Sequence, residues 1–304
     1  MNTSLLFSGS SNLPLGEKVA EELHISLGKI DLTRFADGEL RPWIQEEVRD
    51  KTIFVLQSLS YPMDEHIMEL ALIGDAIRRS APKNMIAIIP YMGYARQDKQ
   101  HRVGEPVSAR VIAKFIEVSK FREVIMIDLH NDAIVGFFQI PVTHLTAQSL
   151  LSDKLKSLQL KKPIVVSPDV GGVKRARNLA YELDVPMIVM EKKRFLDKHD
   201  QSESYQIIGN IAGCDAIVID DVISTGGTIA NSAKSLMDAG AASVTVLATH
   251  GVLAGKAPEL LSTKNIHRVI LSDTIFISRE KQTKNMEIVS TAPIIAQCIK
   301  TIIG

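Results

Sequence analysis

The sequence predicts an α/β protein built as two doubly wound parallel-sheet domains. Short apolar runs rich in β-branched residues recur along the chain, and they are apolar on both faces, as buried parallel strands are. Amphipathic stretches with helical spacing separate them, which is the alternation that covers a parallel sheet with helices. Several runs end in polar, chemically capable residues, at the strand ends where open α/β sheets bind ligands. A length of 304 residues exceeds one ordinary core and suits two domains.

In chain order, the first run is residues 52–56 (TIFVL), ending at Gln57. A helix follows, with Ile67, Leu70, Ala71, Gly74 and Ile77 on one face. The run 86–89 (IAII) precedes a second helix face of Val111, Ile112, Phe115 and Ile116. The run 124–127 (VIMI) opens onto Asp128, Leu129 and His130. Pro141 and the polar stretch 143–149 predict the junction, giving domains of residues 1–142 and 143–304. Beyond it come 164–166 (IVV), ending at Pro168 and Asp169, and 187–190 (MIVM). The charged, apolar-poor stretch 192–204 is expected to be a mobile loop. The run 216–219 (AIVI) ends at Asp220 and Asp221, and its helix carries Ile229, Ala233, Leu236 and Met237 with Gly240 as the stop. The runs 244–247 (VTVL), ending at Thr249 and His250, and 269–271 (VIL) close the series. The halves look like one plan used twice, without a residue-by-residue repeat.

Composition excludes several classes. Lys plus Arg and Asp plus Glu are 35 each, so no bulk attraction to nucleic acid or membrane is expected. An anion site must therefore be built locally. The two cysteines, Cys214 and Cys298, form no CxxC pair and read as small buried hydrophobes in a reducing compartment. The first residues lack the pattern of a signal peptide, and no run is long enough to cross a bilayer, so a cytoplasmic protein is expected.

The motif with the most chemistry is residues 218–228, VIDDVISTGGT. It passes from a strand through a glycine turn into a helix. Gly226 and Gly227 let a ligand approach the backbone, Thr225 and Thr228 add hydroxyl donors, and the helix start offers N–H groups to an anion. Such a loop suits a monophosphate, with Asp220 and Asp221 accepting from sugar hydroxyls. An ordinary strand–turn–helix with a solvated acidic pair is the plainer reading. The loop is not a GxxxxGK[ST] nucleotide loop, and no clear GxGxxG is present.

Weaker motifs surround it. In residues 34–39 (RFADGE) a purine can stack on Phe35 while Asp37 or Glu39 accepts from its amine, although a surface turn reads the same way. In residues 91–98 Arg96 suits a phosphate, whereas Arg96 and Asp98 alone would be a surface ion pair. His130 and Asp169 at strand ends can hold Mg²⁺, which takes few protein ligands when phosphates supply the rest, and Asp169 is the better donor. Glu191, Lys192, Lys193 and Arg194 form either a solvated patch or the start of a closing loop that brings Lys192 and Arg194 onto phosphates.

Taken together, these segments resemble the ribose-phosphate pyrophosphokinases. The resemblance covers nearly the whole chain, from residues 7–12 (FSGSSN) through 34–39, 94–98, 128–130, 136–138 (GFF), 168–172, 175–177 (RAR), the DDVISTGGT loop and 248–251 (ATHG). It implies two domains of the type I phosphoribosyltransferase kind and a homo-oligomer, commonly a hexamer. It implies transfer of the β,γ-diphosphoryl group of ATP to the C1 hydroxyl of ribose 5-phosphate, releasing AMP. By matching positions, Asp37, Glu39, Arg96 and Gln97 would bind ATP, together with Phe35 and Asp98 from the same segments. His130 and Asp169 would bind magnesium. Lys192 would be the catalytic lysine, Arg194 would contact substrate, and Asp220, Ser224, Thr225, Gly226, Gly227 and Thr228 would hold ribose 5-phosphate beside Asp221.

The chain departs from the family pattern at Ser224, where an acidic residue is common, and at Lys193, where arginine is usual. The loop after Arg194 and the stretch 274–287 also diverge. No residue stands out as a general base, and Asp221 is the candidate. Two rivals exist: a phosphoribosyltransferase, which leaves residues 34–39 and 96–97 without a role, and a non-catalytic regulatory paralogue, against which Lys192, Arg194, His130 and Asp169 argue.

Overall fold

The computed structural model describes residues 4–193 and 204–304. They fall into two compact units. The first comprises Met1–Ala147, Thr274–Phe276 and Ser290–Gly304, and the second Gln148–Asp273 and Ile277–Val289.

The first unit begins with β1 (Ser4–Ser8) and α1 (Leu13–Leu23). β2 (Ile30–Arg34) and β3 (Leu40–Ile44) form an antiparallel hairpin outside the main sheet. Then follow β4 (Thr52–Leu56), α2 (Met63–Arg78), β5 (Asn84–Ile89), α3 (Ser108–Val118), β6 (Glu123–Ile127) and β7 (Val142–Leu145). The sheet is parallel throughout, in the order β1-β4-β5-β6-β7, so it winds in one direction without a reversal. Its central strands are buried on both faces: Ile53, Phe54, Val55 and Leu56 in β4, and Ala87, Ile88 and Ile89 in β5.

Helix α2 turns Ile67, Leu70, Ile73 and Ile77 to the core, close to the expected face. Helix α3 keeps Ile112, Phe115 and Ile116 of the expected face against the core and loses only Val111, which is exposed, with Ala109 and Ala113 buried beside them. The small alanines let the helix lie close to its neighbours, so the packing face follows size rather than hydrophobicity alone.

The second unit runs through α4 (Gln148–Lys156), β8 (Pro163–Ser167), α5 (Val173–Leu183), β9 (Met187–Lys193), β10 (Ser204–Ile208), β11 (Asp215–Ile223) and α6 (Gly227–Asp238). β12 (Ser243–Gly251), α7 (Ala257–Leu261), β13 (Arg268–Ser272) and β14 (Met286–Val289) complete it. The strand order is β10-β9-β8-β11-β12-β13-β14, and only β10 is antiparallel to its neighbour. The chain steps outward from β8 to β9, then returns to lay β11 on the other side of β8. That reversal is a topological switch point, where two loops diverge and leave a crevice at the carboxyl edge.

The last helix, α8 (Ala292–Ile303), belongs to the first unit and packs on α1, where Lys300 Nζ donates to the Glu22 carbonyl at 2.9 Å. A boundary after residue 142 therefore differs from the compact units as they stand. β7 pairs with β6, Val142 opposite Val124, which carries the first sheet past that point.

Two strands are longer than their apolar runs. β11 continues to Ile223 and β12 to Gly251, with Asp220 opposite Ala248 and Val222 opposite His250. Asp220, Asp221, Thr249 and His250 thus lie inside strands rather than beyond them. Each long strand supplies the other's ladder, so polar residues do not end either one. Helix α6 stops as expected: Gly240 has φ +91° and Ala241 donates to the Leu236 carbonyl at 3.0 Å.

Candidate active site

At the switch point of the second unit, β11 gives way to a short loop and then to α6. Gly226 caps the helix with φ +77°, a left-handed conformation that a side chain would strain. The loop is held from behind by backbone bonds. Leu253 N–H donates to the Ile223 carbonyl at 3.1 Å and Ala254 N–H to the Ser224 carbonyl at 2.9 Å. No side chain caps the start of α6, so its first N–H groups and positive end face the loop as a ready anion site. A Cβ placed on Gly227 would meet nothing within 4 Å, so the space beside it is open to a ligand. Thr225 and Thr228 are exposed at the loop, whereas Ser224 is half-buried.

Asp220 and Asp221 stand just before this loop. The Asp221 side chain is 5% exposed and that of Asp220 25%. Burial, then the neighbouring Asp221 charge, push the Asp220 carboxyl up to about 8, with Arg175 opposing them. Arg175 Nη1 lies 3.5 Å from Asp220 Oδ1 and 3.3 Å from Asp221 Oδ1. Sequence reasoning assigned Arg175 no role. It sits in a cluster of cations with Lys174 and Arg177, and nothing in their spacing marks which one turns to the strand end.

The other loop at the switch point follows β8, the neighbour of β11. Asp169 is exposed there. Its Oδ1 accepts from Gly172 N–H at 2.9 Å, and its carbonyl accepts from Ser167 Oγ at 2.7 Å. One carboxylate oxygen thus shapes the turn into α5. Lys192 lies on the backbone of β9 opposite Tyr205 of β10. Arg194 lies outside the described residues, as does most of the stretch expected to be a mobile loop.

The segments expected to bind nucleotide belong to the first unit. Phe35, Asp37 and Glu39 sit at the turn of the β2–β3 hairpin and are exposed. Phe35 N–H donates to the Glu39 carbonyl at 2.9 Å, and Asp37 Oδ1 accepts from Glu39 N–H at 3.2 Å, so Asp37 helps to build the turn. The Arg41 guanidinium lies 5.3 Å from the centre of the Phe35 ring. Arg96 and Gln97 are exposed beyond β5, and Gln97 N–H donates to the Tyr94 carbonyl at 3.1 Å. Asp98 accepts from Asn131 Nδ2 at 2.6 Å rather than pairing with Arg96, which ties this segment to the loop carrying the exposed His130. Both segments also meet the first turn of α2: Arg34 pairs with Glu65, and the Tyr94 hydroxyl donates to Asp64. Neither acid was singled out by the sequence.

The carboxyl edge of β1 and β4 is closed by a buried polar network. Glu69, only 4% exposed, accepts from Ser10 N–H at 2.7 Å, Ser10 Oγ at 2.8 Å and Gln57 Nε2 at 2.7 Å. Gln57 Oε1 accepts from Ser11 Oγ at 2.7 Å, and Ser11 Oγ accepts from Ser58 N–H at 2.8 Å. Gly9 is required for this closure, since its Cβ would lie 2.3 Å from Gln57 Oε1. Gln57 ends its strand as expected, but it serves the fold.

Among the described residues no cluster of three or more His, Cys, Asp or Glu could hold a metal ion. Among the same residues no helix is long and apolar enough to cross a membrane.

Residues 4–119 match the model of the N-terminal domain of ribose phosphate pyrophosphokinase, and residues 138–282 match the phosphoribosyl transferase domain. The chain is 41% identical over 300 residues to a ribose-phosphate pyrophosphokinase of Bacillus cereus, covering 98% of this chain and 94% of that protein. It is 41% identical over 303 residues to one of Aquifex aeolicus, covering 99% and 96%. The crystal structure of phosphoribosylpyrophosphate synthetase from Mycobacterium smegmatis superposes with a TM-score of 0.93 at 36% identity, over 99% of both chains.

Proposed function

We propose how this chain, which belongs to the ribose-phosphate pyrophosphokinase family, divides that family's reaction among its residues. The enzyme is a ribose-phosphate diphosphokinase. It transfers the β,γ-diphosphoryl group of ATP to the C1 hydroxyl of ribose 5-phosphate and releases AMP. The observation that supports the assignment of roles is the uncapped start of α6 behind Gly226, next to the acidic pair.

In this reading Thr225, Gly226, Gly227 and Thr228 cradle the 5-phosphate, with Ser224 at the rim, and Asp220 and Asp221 accept from ribose hydroxyls. The anion meets fixed N–H donors, so little has to reorganise when it binds. Phe35 stacks on the adenine and Glu39 and Asp37 accept from its amine, while Arg96, Gln97 and Asp98 hold the phosphate side of ATP. The C1 hydroxyl gives up its proton to water and its oxygen bonds to the β-phosphorus as the bond from that phosphorus to the α–β bridging oxygen breaks, and AMP leaves with that electron pair. Lys192 and Arg194 carry positive charge to the transferring group, where it develops most.

His130 and Asp169 are the residues that would hold Mg²⁺. Asp169 has one oxygen committed to Gly172 N–H and a second carboxylate oxygen to offer, and His130 is exposed. Each offers a single donor, as suits a cation whose remaining ligands are substrate phosphates. Bound there, the ion would neutralise phosphate charge. The reading also includes a homo-oligomer in the cytoplasm, consistent with Cys214 and Cys298 being free thiols.

The test is to mix the protein with ATP, Mg²⁺ and ribose 5-phosphate and to follow AMP. AMP should form only when the sugar phosphate is present. No AMP across a range of phosphate and metal concentrations would sink the reading.

A further inference from the structure

We propose that Arg175 is the positioning residue that presents the Asp220 and Asp221 carboxyl groups to the vicinal hydroxyls of a phosphorylated ribose. The inference rests on reading residues 224–228 as the sugar-phosphate loop, and goes beyond it by assigning the residue that makes an acidic pair tolerable beside a phosphate.

Two adjacent acidic side chains near the end of a partly buried strand oppose each other's ionisation, and any charge they carry repels an arriving phosphate. A counter-charge is needed that does not itself block the sugar. Arg175 meets both conditions. It reaches the pair from the first turn of α5 and places a single nitrogen, Nη1, 3.5 Å from Asp220 Oδ1 and 3.3 Å from Asp221 Oδ1. The exposures are graded: the side chain of Asp221 is 5% exposed, while those of Asp220 and Arg175 are each 25% exposed. Asp221 thus anchors the guanidinium from within, and Asp220 is the carboxyl group that meets the opening.

Asp220 Oδ1 also accepts from Asp221 N–H at 2.9 Å. The backbone amide and Arg175 Nη1 both meet the same oxygen, Oδ1, which locates that end of the Asp220 carboxyl before any ligand arrives. A carboxyl located in advance favours a ligand with hydroxyls at fixed separation, which a furanose ring supplies. Arg175 also stands three residues beyond Gly172, whose N–H is bound by Asp169. One side chain therefore links the two loops of the switch point within a single unit.

The experiment compares the full-length enzyme with Arg175→Gln and Arg175→Lys. Ribose 5-phosphate binding is measured by calorimetry, and KM is measured for both substrates. Arg175→Gln is expected to weaken ribose 5-phosphate by about tenfold or more, the scale of a lost charge-assisted contact, while KM for ATP stays within about twofold. Arg175→Lys restores charge without the planar group and should recover part of the loss. Arg175→Met, similar in length and uncharged, replaces the glutamine variant if that one fails to fold. Wild-type affinity for ribose 5-phosphate in the uncharged variant overturns the proposal. So does an equal rise of both KM values with a lowered Tm and no recovery by lysine, which marks a purely structural role. If the wild type neither binds ribose 5-phosphate nor forms AMP, the sugar-phosphate reading itself falls and this inference falls with it.

Discussion

Two stretches of carboxyl edge, one in each parallel sheet, are treated in opposite ways. In the first unit the edge of β1 and β4 is sealed: Glu69, Gln57, Ser10, Ser11 and Ser58 satisfy one another, and Gly9 is the space that allows it. In the second unit the edge of β8 and β11 is left open. Its helix start is uncapped, the space beside Gly227 is empty, and Asp220 sits with a carboxyl raised to about 8. Strand order explains the contrast. The first sheet winds one way, so adjacent loops fold over one another, whereas the second reverses between β8 and β11 and its loops part. Polar groups at a strand end are therefore no guide to function by themselves. What separates the edges is whether those groups are already spent.

Substitutions can break this contrast, and the largest effect is expected at the open edge. Lys192→Ala should lower turnover by on the order of a hundredfold or more with only a modest change in ATP affinity, read from steady-state kinetics with direct ATP titration. Unchanged turnover would remove Lys192 from the chemistry. At the sealed edge the loss should appear in stability instead. Glu69→Ala strands the Ser10 and Gln57 donors and should cost about 2–4 kcal/mol in chemical denaturation, leaving KM for ribose 5-phosphate unaltered. A selective rise in that KM would mean the sealed edge also binds substrate.

A smaller effect with a distinctive pH signature is expected for Asp220→Asn. The folded carboxyl titrates near 8 and the unfolded one near 3.8. Between those values the folded state holds a proton that the unfolded chain has released, so this group's favourable contribution is complete below the lower value and lost as pH rises through the upper one. The asparagine variant should match wild type near pH 4. It should exceed wild type near pH 9 by on the order of 1–3 kcal/mol, discounted for partial exposure and for Arg175, while binding ribose 5-phosphate more weakly. A constant difference across that window would show that Asp220 is not held protonated. Smallest of all, Glu65→Gln removes an exposed pair with Arg34 and should change stability by less than about 1 kcal/mol. Any larger change in KM for ATP than for ribose 5-phosphate would show that α2 orients the β2–β3 hairpin and that the hairpin serves ATP.

How much of this was legible in the sequence depends on what each residue competes with. The apolar runs of β4, β5, β6, β8, β9, β11, β12 and β13 were visible because such short runs, mostly rich in β-branched residues, have few other uses. β1, β7, β10 and β14 were not singled out, being short or mixed in polarity. The β2–β3 hairpin was hidden because strand β3, LRPWI, carries a proline and an arginine. The glycine turn at 226–227 was legible because a positive φ demands glycine. The extension of β11 through two aspartates was not, since it depends on the matching length of β12. Glu69 carried an unused signal. It lies four residues before Ile73 and eight before Ile77 on the apolar face of α2, where an acid must find buried donors. Asp64 and Arg175 offered no such signal, because their partners come from other elements.

The return of α8 to α1 bears on how the molecule is made. A ribosome emits β1 early, yet the partner of α1 lies within residues 290–304, after nearly all of the second unit. The first sheet can gather early, but the apolar side of α1 that α8 covers stays uncovered through most of synthesis. The second unit, almost one contiguous stretch, can mature first. Low-separation contacts form fastest, so the second unit should be complete before the first is finished.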